Sequence, residues 1–368
     1  MTFRKLCLLA AFLVGGAAHS QILIGQTVGL TGPIAASAKD AAAGAKLYFD
    51  SVNAKGGIHG EQIELIILDD RFDPKLSAEN ANILIKEKNV VALFMNRGTP
   101  HTEAILPIMT KYHVALVAPA SGAMLLRRPV NKYIFNIRAS HQQEAEKAIA
   151  HLNTVRVNRI AVVYVDDSFG RDILEGIDNG FRTAKLKPVA VIKADREKPD
   201  LTAIVAAIRQ SNAQSVLWVG TSAVVSEGIK ALRATGSQTQ VVTLSNNASS
   251  GFINLVGEAG YGVIVTQVFP SERSYAYGLV REARELAKAS GQTDLSPIFL
   301  EGFCGAKVMV EALRRAGPKP TRQTVLNALE SIRKYDLGGL DISYSPEDHS
   351  GSKFVEMSII GTDHKFKR

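Results

Sequence analysis

Short apolar runs of strand length alternate with longer stretches of helical period along most of the chain. Apolar residues dominate 22–30, 63–68, 90–95 and 114–118, and each run breaks into small polar residues, glycine or proline. Val90-Val91-Ala92-Leu93-Phe94-Met95 is apolar at every position, as a strand buried on both faces of a parallel sheet requires. Helices are expected between the runs. One covers 35–53, an alanine-rich stretch stopped by Gly56-Gly57, and its small face of Ala42, Gly44 and Ala45 would lie close to the sheet. Another runs over 73–88, with Asp73 as N-cap and Pro74 at the first helical position. A third follows Asn96-Arg97-Gly98-Thr99-Pro100, with Thr99 as its expected N-cap, and ends near 111. The connections are too long for hairpins. The order β-α-β-α-β-α-β therefore predicts a parallel sheet covered on both faces.

The same layout begins again after 133–138, without sequence repetition. Strands are expected over 159–165, 189–192, 215–219, 241–244 and 263–267, with helices over 141–155, 168–184, 199–210 and 222–235. The tail breaks the alternation. It carries helical patterns over 273–289, 298–316 and 321–333, then two closing strands over 340–344 and 353–360. Three helices cannot make a third α/β unit alone, so the tail is expected to return to one of the earlier sheets. The fold class is α/β with two lobes.

The first twenty residues differ from the rest. Arg4 and Lys5 precede an apolar stretch, and Ala18-His19-Ser20 puts small residues where a signal peptidase reads. This is the pattern of a secretory signal peptide over 1–20, cleaved after Ser20 to leave Gln21. It is too short to span a bilayer, and no later run approaches the ~20 apolar residues a membrane helix needs. Cleavage would also remove Cys7, leaving Cys304 alone, so no internal disulfide is expected even in an oxidising compartment. The net charge of +8 would fall to +6, 41 basic against 35 acidic residues. That excess is spread along the chain without an aromatic-interleaved basic patch, so nucleic-acid binding is not expected. With 46% hydrophobic and 21% charged residues the chain has the balance of a soluble globular protein.

No catalytic constellation stands out. The histidines have no metal-ligand spacing, and no phosphate loop, nucleophile elbow or dinucleotide fingerprint is present, so neither a metal nor a cofactor is expected. Asp69-Asp70 and Asp166-Asp167 sit at strand ends. General acids or metal ligands are one reading of them; helix caps on a solvated edge are the commoner one. What converges is a ring of loops at the carboxyl ends of strands, where open α/β sheets bind ligands. These loops carry Thr31, Asn96, Arg97, Thr99, Ala120, Ser121, Gly122, Phe169, Thr221, Ser245 and Asn246. Hydroxyls, amides and one aromatic are binding chemistry rather than catalysis. Arg97 either pairs with an anionic ligand through its planar fork or lies along the cleft rim in solvent. Phe169 either closes over an apolar group or is core. Thr99 and Ser121 either touch a ligand or only cap helices.

Over the mature chain the sequence resembles a type I periplasmic solute-binding protein of the branched-chain amino acid class. The residues that carry the resemblance are Gly29-Leu-Thr-Gly-Pro33, Asn53-Ala-Lys-Gly-Gly-Ile58 with Gly60, Asp70 with Asp73-Pro74, and Gly98-Thr99-Pro100. Asp167-Ser-Phe-Gly170 and Glu311-Ala-Leu with Ala316-Gly317 add to them. The resemblance implies two Rossmann-like lobes joined by three hinge crossings, one of 21–138 plus 271–340 and the other of 139–270 plus 341–368. It implies a ligand trapped by closure, with Thr99, the 119–122 turn, Phe169, Thr221 and Ser245 at it. The sequence departs from the pattern at three places. Ser245, with Asn246 beside it, stands where amino-acid binders carry an acid for the ligand's ammonium group. Ser37 replaces an aromatic near the first helix, and Phe72 and Gly98 replace a disulfide pair. The implied role is capture of a small carboxylate-bearing solute, an amino acid or related organic acid, for an ABC permease of the inner membrane. The protein would work in the periplasm as a monomer. The alternative is a soluble periplasmic sensor presenting its closed form to a membrane receptor. An exported α/β enzyme is disfavoured because no nucleophile–base pair can be named.

Overall fold

The computed structural model describes residues 21–292 and 294–368. The expected signal peptide, 1–20, lies outside the described residues. The first half of the chain builds a five-stranded sheet. It takes in β1 (Gln21–Val28), α1 (Ala35–Asn53), β2 (Gln62–Asp69), α2 (Pro74–Asn82), β3 (Ala92–Phe94), α3 (Thr99–Lys111), β4 (Ala115–Val117) and β5 (Ile134–Phe135). All pairings are parallel, in the order β2-β1-β3-β4-β5. The apolar runs over 90–95 and 114–118 are buried throughout except at Val91, as a doubly covered sheet demands.

The second sheet follows α4 (His141–Thr154). Its elements are β6 (Ile160–Val165), α5 (Ser168–Ala184), β7 (Ala190–Ala194), α6 (Leu201–Gln210), β8 (Ser215–Trp218), α7 (Ser222–Ala234), β9 (Gln240–Thr243), α8 (Ser250–Val256) and β10 (Ile264–Gln267). The tail adds α9 (Gly278–Ala289), α10 (Pro297–Ala316), α11 (Arg322–Glu330), β11 (Tyr335–Asp336), β12 (Asp341–Ile342), β13 (Glu356–Ile360) and β14 (Phe366–Lys367). The seven-stranded order is β14-β13-β10-β9-β8-β6-β7, parallel from β7 to β10 and antiparallel at β13 and β14. The chain thus passes between the two halves three times: after β5, after β10 toward α10, and before β13.

Four sequence expectations change. The small face of α1 lies on α10, not on the sheet. A Cβ on Gly44 would come 2.0 Å from the Phe299 carbonyl oxygen, and one on Gly302 would come 1.9 Å from that of Ala41, so the two helices meet backbone to backbone. The closing strand over 340–344 shrinks to β12, which pairs with β11 in a two-stranded ribbon and joins neither large sheet. Helix α8, too short to show a period, was not anticipated; Ser249 caps it by accepting from the Phe252 amide. Gly98 rather than Thr99 is the cap position of α3. Its φ of +99° favours glycine, and a Cβ there would meet His101 Nδ1 at 2.6 Å.

The carboxyl ends of β3 and β4 are bent in concert. Met95 (φ +44°) and Ala118 (φ +55°) both take the left-handed region, which a side chain with Cβ rarely enters. Backbone bonds from Met95 N to Val117 O (2.9 Å) and from Ala118 N to Phe135 O (2.8 Å) hold them there. Gln26 Nε2 donates to the Met95 carbonyl as well (2.9 Å). The bends bring Arg97 opposite Ala120 in an isolated parallel bridge, so the two loops leave the sheet side by side.

Candidate functional site

The loops leaving the carboxyl ends of β1 to β9 surround a cavity with about 430 Å³ of empty space, part of it open to solvent. Ile34, Phe72, Arg97, Gly98, Thr99, Ala120 and Ser121 form the wall from the first sheet. His141, Phe169, Arg196, Gly220, Thr221, Ser222 and Asn246 form the facing wall.

Arg97 is the principal charged group of the first wall. Its side chain is buried, and Nη2 donates across the cleft to the Asn246 carbonyl (3.1 Å). Nη1 is buried with no hydrogen-bond partner. Burial pushes the guanidinium below its ordinary pKa, while Glu301 and Asp40 favour its charge only through space. Both those carboxylates are engaged elsewhere, Glu301 with Arg138 and Asp40 with the Ser250 amide and the Ser296 hydroxyl. A buried cation with a donor left without a partner is incompletely compensated. Beside it the Thr99 and Ser121 hydroxyls lie 2.8 Å apart. Because Gly98 takes the cap position, the Thr99 hydroxyl is not spent on its own helix.

The second wall is built from helix starts and aromatic faces. His141 opens α4; its Nε2 accepts from the Gly122 amide (2.8 Å) and its Nδ1 lies 3.4 Å from Glu144 Oε1. Accepting at Nε2 requires the neutral ring, and burial holds the imidazole below its ordinary pKa. Phe169 meets that ring edge-on, with centroids 5.1 Å apart. The Arg196 guanidinium lies over Phe72 and Phe169 at 5.5 and 5.8 Å from their centroids, and its Nε is paired with the Asp167 carboxylate. Thr221 caps α7, Ser222 donates to Asn247 Oδ1 (2.9 Å), and Asn246 Nδ2 donates to the Gly220 carbonyl (2.9 Å).

Of the residues expected at a site, Arg97, Thr99, Ala120, Ser121, Phe169, Thr221 and Asn246 line this one cavity. Gly122, Ser37 and Ser245 stand behind its wall. Gly122 hydrogen-bonds His141 through its backbone, and the Ser37 hydroxyl donates to the Ile34 carbonyl (2.9 Å). Ser245 accepts from Arg138 Nη2 (2.5 Å) and gives its amide to Glu144 Oε2 (2.9 Å). The acidic pairs are structural. Asp69 receives the Leu30, Thr31 and Arg71 amides, buried Asp70 the Phe72 amide and two hydroxyls, and Asp167 caps α5. Among the described residues no group of three or more His, Cys, Asp and Glu is placed to hold a metal ion.

A family model described as periplasmic binding protein matches residues 21–357. The chain belongs to the periplasmic binding protein family. It falls with the type I members of the branched-chain amino acid class, a family of substrate-binding proteins rather than enzymes. The leucine-specific-binding protein of Salmonella typhimurium is 21% identical over 352 residues, 92% of this chain and 94% of the relative. A substrate-binding periplasmic protein from Ralstonia solanacearum has a solved structure with a TM-score of 0.86 and 31% identity, covering 93% of this chain and 98% of that one. An extracellular ligand-binding receptor from Verminephrobacter eiseniae gives a TM-score of 0.83 at 28% identity, over 95% and 100% of the two chains.

In this periplasmic binding protein the cavity also draws on residues that sequence reasoning passed over. Gly220 and Ser222 flank Thr221 and could have been taken with it. His141 directly follows the Ser140 cap of α4, a helix start like those already singled out. Phe72 stands out in the sequence only as the cysteine it is not, and Gly98 for that and as part of Gly98-Thr99-Pro100. Ile34 precedes α1, and Arg196 lies in a charged loop indistinguishable in pattern from solvent-exposed connections.

Proposed function

We propose that this protein captures a small carboxylate-bearing solute in the periplasm and delivers it to an ABC permease of the inner membrane. Export through a cleaved signal peptide over 1–20 and action as a monomer belong to the same reading. We place the lobes at 21–138 plus 271–340 and 139–270 plus 341–368. The cavity between them is the solute site, with Arg97, Thr99, Ser121, Phe169, Thr221 and Asn246 touching the ligand. One observation carries the reading: Arg97 lines the cavity, its buried guanidinium has an unpartnered Nη1, and no carboxylate is paired with it among the described residues. A ligand carboxylate would complete that ion pair, with the Thr99–Ser121 hydroxyl pair as further donors. Closure would then be favoured because the ligand bridges both walls only when they meet.

A thermal-shift series with small carboxylates tests this, since a ligand that binds only the folded form raises Tm. At least one carboxylate should raise the Tm of the wild-type protein. Arg97→Gln should weaken that ligand about 100-fold, within the ~2–5 kcal/mol expected for removing one member of a buried charge pair. Full binding by Arg97→Gln would overturn the assignment.

A further inference from the structure

Resting on that reading, we infer that the solute is a monocarboxylate with an apolar body and no ammonium group, and that the site selects against α-amino acids. The inference comes from counting the charges at the cavity wall. Arg97 contributes one positive charge without a paired acid. Arg196 contributes a second, already neutralised by Asp167. His141 is neutral, because a protonated imidazole could not accept the Gly122 amide at Nε2. No Asp or Glu is among the lining residues. The acids behind the wall hold groups outside the cavity: Glu144 and Glu301 share Arg138, Asp40 takes Ser250 and Ser296, Asp167 takes Arg196 and the Gly170 amide, and Asp172 takes the Met124 amide and Gln142 through Oδ1. Arg138 is one positive charge between two acids, and Glu301 also acts on Arg97, so what the wall offers a ligand is an Arg97 donor without a partner and no acid. A zwitterion would bring an ammonium group that finds only hydroxyls, amides and carbonyls, which solvate a buried cation far less well than water does.

The rest of the wall specifies the body of the solute. Ile34, Ala120 and the faces of Phe72 and Phe169 offer apolar surface, and Arg196 lies over both rings as a flat lid. That combination suits a branched aliphatic or planar aromatic group and gives a second carboxylate no free cation.

Calorimetry on matched pairs that differ only by the amino group tests the inference: isovalerate with valine, isocaproate with leucine, hydrocinnamate with phenylalanine. For at least one pair the acid should bind and its amino acid should be weaker by about 100-fold or more. An amino acid binding as tightly as its matched acid overturns the inference and leaves carboxylate capture standing. Binding of succinate with none of the six overturns the apolar monocarboxylate class alone. If no carboxylate of any kind binds, the capture reading fails and the inference with it. Thr221→Asp, which keeps a good capping residue while adding a carboxylate to the wall, should narrow the acid-to-amino-acid ratio about tenfold or more. An unchanged ratio in a variant whose circular dichroism is native removes the lack of a wall acid as the cause and overturns the proposal.

Discussion

His141 accepts the Gly122 amide on Nε2 and turns Nδ1 toward Glu144, two contacts that together require the neutral ring with its proton on Nδ1. Burial lowers its pKa below the ordinary 6.5, and the hydrogen bond to Glu144 only partly opposes that. Arg138, which disfavours a second buried positive charge, and Asp172, which favours it, complete the groups acting on the ring. Burial lowers His101 and His349 too. A histidine held below its unfolded value binds a proton more readily when the chain unfolds. Its contribution to stability is therefore present above about pH 6.5 and is lost as the pH falls below that value toward the folded pKa. The buried carboxyls Asp40, Asp70, Asp172 and Glu272, all raised by burial, work in the opposite sense. Wild type must therefore be compared with a variant. Between about pH 7.5 and pH 5 the Tm of His141→Gln should fall less than that of the wild type. Equal falls would mean that His141 is not held neutral in the folded protein. The sequence placed this residue at a helix start but gave no hint of its tautomer, because the Gly122 amide that fixes it lies 19 positions away.

Most helices could be read from the sequence because their starts are written locally. Asp73, Ser140, Asp167, Asp200, Thr221, Ser296 and Thr321 each accept from a backbone amide two or three residues ahead. What failed depended on distant partners. The small face of α1 was visible in the sequence, but nothing there says whether a sheet or α10 lies against it. Helix α8 escaped notice, yet its first turn packs on α1 of the first half. A Cβ on Gly251 would stand 2.1 Å from the Ala36 Cβ of α1, and the Ser250 amide donates to Asp40 (3.1 Å). Gly251 therefore lets α8 and α1 meet without a side chain between them. Gly251→Ala should leave each half folded and push the two apart, weakening solute binding about tenfold, a ~1.4 kcal/mol change in closure. Scattering in saturating ligand should show a larger radius of gyration than the wild type under the same conditions. Unchanged affinity and unchanged dimensions would show that the contact relaxes without cost.

At the scale of the whole molecule, the two halves are also tied together where the chain first crosses between them. Three residues after β5, where the chain first leaves the first sheet, Arg138 is buried with no exposed surface. Its Nη1 donates to Glu301 of α10 (3.0 Å), and its Nη2 to Glu144 of α4 (2.6 Å) and to Ser245 after β9 (2.5 Å). One guanidinium thus ties the helix packed on α1 to the helix and loop of the second sheet. Burial opposes the charge of both partners, but their mutual attraction outweighs it: Arg138 is held above its ordinary pKa and Glu144 well below. Glu144 has further support from the Ser245 amide, Thr266 and His141, whereas Arg138 is the sole ion-pair partner of Glu301 among the described residues. Arg138→Met would fill similar space and strand two buried carboxylates, a loss of about 3–5 kcal/mol. The variant should melt well below the wild type. Adding Glu144→Gln and Glu301→Gln to it should restore part of the loss, since neutral amides need no countercharge. If the single and triple variants melt together, the guanidinium acts by packing alone, and the crossing is held by shape rather than by charge.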